Sequence, residues 1–136
     1  MLMDKINITT HKHSEMINFT HELNALIPKA FKSGICHVFC QHTTAGLTIN
    51  ENADPDVQRD LLAATEELVP WNNPLFRHFE GNSAAHLKAS FMGFSQTIPI
   101  DQGKLCLGIW QGIYFCEFDG PRSRKVLVQF IEDYNA

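Results

Sequence analysis

A chain of 136 residues is long enough for one domain with its own core and too short for two comfortable ones. Hydrophobic residues make up 44% and charged residues 19%, with ten Phe, which is the balance of a globular protein with a well-filled interior. Eleven Lys and Arg against fifteen Asp and Glu give a formal charge of −4, so the surface as a whole repels nucleic acid and acidic membranes and leaves room only for a local cationic pocket.

Asp4 and Lys5 interrupt the start, so no secretory leader is expected. No apolar run approaches the roughly 20 residues of a membrane span. Cys36, Cys40, Cys106 and Cys116 lack C-x-x-C spacing and sit in apolar runs, which predicts reduced, mostly buried thiols and a cytoplasmic location. "KINIT" (5–9) alternates as a strand does. Thr20 can cap a helix running to about Lys32, with Leu23, Leu26, Ile27, Ala30 and Phe31 on one face and Gly34 beyond its end. "ICHVFCQH" (35–42) is a second strand with Cys36, Val38, Cys40 and His42 on one face, and "LTINE" (47–51) a third, joined to it as a hairpin through "TTAG".

Asp54 and Pro55 open a helix with Val57, Leu61, Ala64 and Leu68 as its stripe. Residues 70–83 form the one long irregular segment, a length that often carries function. Ser83 can cap a short helix over 84–92, with Leu87 and Phe91 toward the core and His86 and Ser90 on the flank. Strands follow at 95–100, 104–118 and 124–132, with a break near Gly108, and read as an antiparallel meander. Two apolar faces make 109–118 a central strand on which Trp110 packs and Gln111 points the other way. The expected class is α+β: one domain over 1–136, a largely antiparallel sheet packed with about three helices.

Polar residues stand in line with several apolar faces. His42 ends the Cys36/Val38/Cys40 face, Glu51 the Leu47/Ile49 face, Glu117 and Gln111 bracket Ile113 and Phe115, and Arg124 leads Val126, Val128 and Phe130. A buried charge is costly unless paired. Such groups must reach water at the sheet rim, meet one another, or bind something. His42, His78 and His86 offer three imidazoles from a strand end, a loop and a helix. Three protein ligands with an open position suit a divalent metal, zinc or magnesium; imidazoles that hydrogen-bond or move protons are the alternative. Arg122 and Arg124, at i and i+2, suit a phosphate or carboxylate, against a plain reading of "DGPRSRK" as a solvated basic turn.

Four stretches, "HTTAGLTINENADPDV", "FRHFEGNSAAHLKASFMG", "TIPIDQGKLCLGIWQGI" and "CEFDGPRSRKVLVQ", occur in this order. Through them the chain resembles the YjbQ-like family, catalogued as uncharacterised or as secondary thiamine-phosphate synthases, from about residue 5 to 131. The resemblance implies a compact α+β homotrimer with its polar site near a subunit boundary. The family's polar positions fall on His42, Glu51, His78, His86, Ser90, Trp110, Gln111, Glu117, Asp119 and Arg122, and Ile109 departs from the smaller hydroxyl residue that relatives often carry. The implied activity is a weak joining of a pyrimidine pyrophosphate to a thiazole phosphate. The principal enzyme of that pathway is a TIM barrel, which needs about 250 residues, so this chain cannot be one.

Two classes of function follow. One is an enzyme acting on a small anionic metabolite, with His42, His78, His86, Glu51 and Glu117 as catalytic candidates and Ser90, Gln111, Asp119, Arg122 and Arg124 holding substrate. The other is a trimeric metal- or metabolite-binding module without turnover.

Overall fold

The computed structural model describes residues 2–134; Met1, Asn135 and Ala136, at the ends of the expected domain, lie outside the described residues. In chain order the elements are β1 (Leu2–Thr9), β2 (Glu15–Asn18), α1 (Thr20–Leu26), β3 (Gly34–Cys40), β4 (Ala45–Glu51), α2 (Pro55–Leu68), α3 (Ser83–Met92), β5 (Ser95–Asp101), β6 (Lys104–Leu105), β7 (Gln111–Glu117) and β8 (Ser123–Glu132). They build a five-stranded sheet, β1-β8-β3-β5-β6, and a three-stranded sheet, β2-β7-β4. Their pairings are antiparallel, and the class is α+β.

Alternation decides what lies between the layers. Cys36, Val38 and Cys40 of β3, Ile98 and Ile100 of β5, and Val126, Val128 and Phe130 of β8 face Leu47 of β4 and Ile113 and Phe115 of β7 in one core cluster. Phe19 and Leu23 of the α1 region join that cluster. The opposite face of β7, with Tyr114, Cys116 and Phe118, meets Ala85 and Ala89 of α3. β7 is therefore the central strand of its sheet and apolar on both sides, as its pattern predicts.

The connectivity differs from the expected hairpin and meander. β3 pairs with β8 and β5, whereas β4 pairs with β7, so "TTAG" carries the chain from one sheet to the other. β7 likewise leaves the β5–β6 sheet, and β8 returns to lie between β1 and β3. Both faces of the layered core need apolar strands, and sequence periodicity does not say which layer a strand joins. The break expected near Gly108 divides 104–118 into two elements, β6 and β7, which lie in different sheets. A turn in which the Gln111 N–H reaches Gly108 O at 2.9 Å separates them, leaving Trp110 on the turn and 62% exposed rather than packed.

Two helices also depart from expectation. α1 ends at Leu26 rather than Lys32, because Pro28 follows Ile27 and the residue before a proline is driven out of the helical region; Ile27 is extended at ψ 123°. Its N-cap is Phe19, while the Thr20 hydroxyl bonds Asn18 Oδ1 and accepts the Ile113 N–H. α2 begins as expected, with Pro55 first and the Asp54 side chain accepting the Asp56 N–H, but Ala64 and Leu68 of its expected stripe are exposed.

On α3 the expected Leu87–Phe91 stripe faces outward, and Ala84, Ala85, Lys88 and Ala89 are buried instead. Close approach is the reason. A Cβ on Gly46 of β4 would stand 2.7 Å from Gly93 O and 3.1 Å from Ala89 O, so the helix lies on the strand only through small residues. Lys88, 2% exposed in its side chain, runs out of this contact to Glu66 of α2, with its Nζ 6.0 Å from the Phe118 ring centroid. Gly46→Ala should therefore destabilise the protein by about 1–3 kcal/mol in urea denaturation, through overpacking. Unchanged stability would show that α3 is not seated on β4.

Candidate functional site

Glu117 ends the inward face of β7 and Arg124 begins the inward face of β8. Of the three fates open to such groups, these two meet each other. Arg124 Nε donates to Glu117 Oε1 at 2.8 Å and its Nη2 to Oε2, with Nη2 also reaching Thr44 Oγ1 at 2.9 Å. Glu117 further accepts from the Thr10 hydroxyl and the Asp119 N–H, both at 2.9 Å. Glu117 is 0% and Arg124 7% exposed. Burial alone would raise the Glu117 carboxyl, but the bonds from Arg124, Asp119 and Thr10 and the guanidinium charge outweigh it and hold it below the usual range.

Above this pair opens a cavity of about 470 Å³, lined by Gln41, His42, Thr43, Thr44, His78, Glu80, Asn82, His86, Asp119, Arg122 and Arg124. All three candidate imidazoles reach it, from the end of β3, the α2–α3 segment and α3 itself. His42 follows β3 and accepts the Lys125 N–H through Nε2 at 3.2 Å. Partial burial, then the charge of Arg124, keep its pKa below the usual 6.5, so it is neutral at pH 7. With Nε2 accepting, Nδ1 carries the proton. His78 is brought in by a turn in which the Gly81 N–H bonds His78 O at 3.0 Å. Its ring meets that of His86 edge-on, with centroids 5.6 Å apart, and its Nε2 is 3.7 Å from Glu80 Oε1.

Arg122 donates from Nε to Asp119 O at 2.7 Å and from Nη2 to Asp119 Oδ2 at 3.0 Å. Asn82 donates to the same Oδ2 at 2.9 Å. Nη1 of Arg122 and of Arg124 makes no hydrogen bond among the described residues, which leaves one edge of each guanidinium for something else.

Several candidates stand elsewhere. Glu51 Oε2 accepts the Ala53 and Asp54 N–H groups at 3.1 and 3.3 Å, and so organises the start of α2. Gln111 Oε1 accepts the Gly108 N–H at 2.8 Å in the turn before β7. Ser90 is exposed, one helical turn beyond His86 and outside the cavity. Glu117 lies beneath the cavity as the partner of Arg124 and does not line it. Cavity residues not expected from the sequence are Gln41, Thr43, Thr44, Glu80 and Asn82; Asn82 had one signal, a residue type that favours N-caps placed just before a helix.

A metal fits this arrangement poorly. The acceptor nitrogen of His42 is occupied by Lys125, and among the described residues no group of three or more His, Cys, Asp or Glu is arranged to hold an ion. Cys36 and Cys116 are poor nucleophiles as well, since burial pushes their thiols up to about 12, and burial raises Cys40 too.

The pair beneath the cavity should control acid stability. Glu117 folded lies below its ordinary 4.5, so its contribution is present above that value and lost as the pH falls from there through the folded value. His42 acts earlier, because a lowered folded pKa costs stability as the pH falls below 6.5. Glu117→Gln leaves Arg124 buried without a countercharge and should cost about 3–5 kcal/mol at neutral pH. It should also shrink the lower of the two acid-sensitive windows in denaturation series run against pH, leaving the part that Glu66, held low by its hydrogen bond from Lys88, contributes. A variant as stable as the parent would show that the pair does not join the sheets.

Comparison with known proteins places these residues in a wider context. Residues 4–133 match the family described as UPF0047 protein YjbQ-like. The chain is 49% identical over 131 residues to UPF0047 protein YugU of Bacillus subtilis, covering 96% of this chain and 99% of that protein. It is 47% identical over 135 residues to a UPF0047 protein of Methanocaldococcus jannaschii, covering 97% and 96%. An uncharacterised conserved protein of the YjbQ/UPF0047 family from Clostridium acetobutylicum has a solved structure that superposes with a TM-score of 0.91 at 50% identity, over 94% of this chain and 99% of that one. A YbjQ-like protein of unknown function from Sulfolobus solfataricus superposes with a TM-score of 0.91 at 31% identity, over 97% of each.

Proposed function

The chain belongs to the YjbQ-like UPF0047 family, and from its geometry we propose that it holds a small anionic metabolite in the histidine- and arginine-lined cavity and acts on it by proton transfer. The observation that carries this reading is that His42, His78, His86, Arg122 and Arg124 line one cavity. Guanidinium Nη1 groups suit phosphate or carboxylate oxygens, and their other edges are already fixed by Asp119 and Glu117, so little ordering is left for the ligand to impose. Neutral His42 offers an N–H rather than a third positive charge. His78, with Glu80 beside one nitrogen and His86 against its ring, is placed to exchange protons with a bound group. A metal carries no step here.

The finer version, a weak thiamine-phosphate synthase joining a pyrimidine pyrophosphate to a thiazole phosphate, rests on the family resemblance. If it is right, His86→Ala should lower turnover of those two precursors by about a hundredfold or more. Activity equal in parent and variant would reject it. One observation favours the second reading, a binding module without turnover. Asp119 and Glu117 are both committed to arginines, which leaves Glu80 as the cavity carboxylate outside those pairs.

Both readings predict an anion site. Titration with inorganic phosphate should move the ring NMR signals of His42 and His86 and leave those of His37, which bonds Thr97 on the five-stranded sheet, and of His21 on α1 in place. Arg122→Ala should weaken that response about tenfold, the scale of a lost charge-assisted bond. Equal shifts at all four rings would reject the site.

Self-association belongs to the same proposal. α3 lies on the three-stranded sheet, while the outer face of the other sheet presents Met3, Phe39 and Ile131 at 60%, 42% and 42% exposure. A second copy is a suitable cover for such a face, and the family resemblance points to a closed ring of three. Light scattering should give three times the 15.4 kDa chain mass, and a monomer mass would remove the trimer.

A further inference from the structure

His13 lies on the connection from β1 to β2, outside the cavity, with 49% of its side chain exposed. Three contacts hold it there. Its backbone oxygen accepts the Gly120 N–H at 3.0 Å, which ties it to the connection from β7 to β8. A Cβ on Gly120 would stand 2.3 Å from Lys12 O, so the two connections meet backbone to backbone. The His13 ring meets that of Trp71 edge-on at the start of the α2–α3 segment, with centroids 4.5 Å apart. Its Nε2 stands 3.8 Å from Asp119 Oδ1.

Asp119 lines the cavity and is the carboxylate that offsets Arg122. Its Oδ2 accepts from Arg122 Nη2 at 3.0 Å and from Asn82 Nδ2 at 2.9 Å. Its Oδ1 makes no hydrogen bond among the described residues and has His13 as its near basic neighbour. One carboxylate thus stands between a guanidinium that is always charged and an imidazole, a group that changes charge around neutrality. The other charged groups about His13 come from three elements. α2 presents Glu66, whose carboxyl feels the His13 charge, and Lys88 of α3 is bound to that same Glu66. On its own connection Lys12 is adjacent, and Glu15 accepts the N–H groups of His11 and Lys12. Asp119, Glu66 and Glu15 attract a charged ring, and Lys12, Lys88 and Arg122 repel it.

We propose that His13 regulates the anion site: when protonated it takes up part of the Asp119 charge, leaves Arg122 less offset, and so strengthens the hold on an anionic ligand. This rests on the anion-site reading and adds its regulation. His13 touches no ligand and acts through Asp119, so it is a positioning residue. Proton and anion are then linked, each raising the affinity for the other by the same factor.

The test measures binding of inorganic sulfate, whose charge is constant over the range used, to the full chain by titration calorimetry at about pH 8 and about pH 5.5, the span in which imidazoles change charge. Thermal melting at both conditions shows that each protein is folded. The cavity imidazoles gain charge in every variant, so the readout is the difference between the parent and His13→Gln, which keeps an N–H for Asp119 and cannot become charged. His13→Asn takes its place if the glutamine variant does not fold. At the higher pH the two should bind sulfate equally. On going to the lower pH the parent should gain about two- to fivefold more affinity than the variant, the scale of one added charge at a solvated site. The same pH dependence in both would overturn the role of His13 and leave the anion site standing. An affinity lower in the variant by one factor at both conditions would overturn it as well, because a contact that merely supports Asp119 behaves in that way. Absence of sulfate binding to the parent at both would overturn the anion site and the proposal with it.

Discussion

The buried contact between Glu117 and Arg124 is the constraint on which the rest of this molecule depends. It joins the end of β7 in one sheet to the start of β8 in the other, and it collects Thr44 from the β3–β4 crossing and Thr10 from the end of β1. A charge pair in such a place is not a strong source of stability, because desolvation takes back much of what attraction supplies. What it supplies is position. Every acceptor lone pair and donor it satisfies belongs to a segment that changes layer, so the segments can cross only where the pair allows. The same Thr10 oxygen that donates to Glu117 accepts the Arg122 N–H at 2.8 Å, which carries the constraint to the residue flanking the cavity.

The crossing topology explains why the cavity is where it is. A hairpin would return β4 alongside β3 and leave His42 at an ordinary solvated turn. A crossing brings residues 41–44 over the edge of the core, beside the connection from β7 to β8 that bears Asp119 and Arg122. The long segment from α2 to α3 adds His78 and Glu80 at the same edge, and the α3 terminus adds Asn82 and His86. Loops placed by a rigid layered frame are where binding groups usually gather. Here three connections and the start of α3 do so because both sheets hand their strands across at one end.

Much of this was legible beforehand, for a definable reason. Period-two alternation marks which side of a strand is buried, so the inward line of Cys36, Val38 and Cys40, the two apolar faces of β7, and the charged ends of β7 and β8 could be read directly. The cap at Asp54 could be read too, because its cause lies within three residues of it. Layer membership could not, because apolar alternation is identical whichever sheet a strand joins. The buried face of α3 was misread for a different reason. Large apolar residues normally mark a core stripe, but the close approach at Gly46 reverses that preference and turns Leu87 and Phe91 outward. Of the site, the residue types were visible and their partners were not. His42, His78, His86, Asp119, Arg122 and Arg124 do converge, whereas Glu51 and Gln111 sit on core-aligned positions that end at other parts of the surface and Ser90 lies on the exposed side of α3.

The pairing pattern has a consequence for how folding and binding coexist in one site. Arg124 uses Nε and Nη2 on the Glu117 carboxylate, Arg122 uses them on the backbone oxygen and carboxylate of Asp119, and Nη1 of each makes no hydrogen bond among the described residues. A ligand oxygen at Nη1 does not compete with the contacts that join the sheets, so occupancy need not loosen the frame. It also finds guanidiniums whose charge is largely offset by Asp119 and Glu117, which limits attraction for any passing anion. Recognition in such a cavity depends on matching several directed groups at once rather than on charge alone. The N–H of neutral His42 and the paired rings of His78 and His86 are the directed groups that remain.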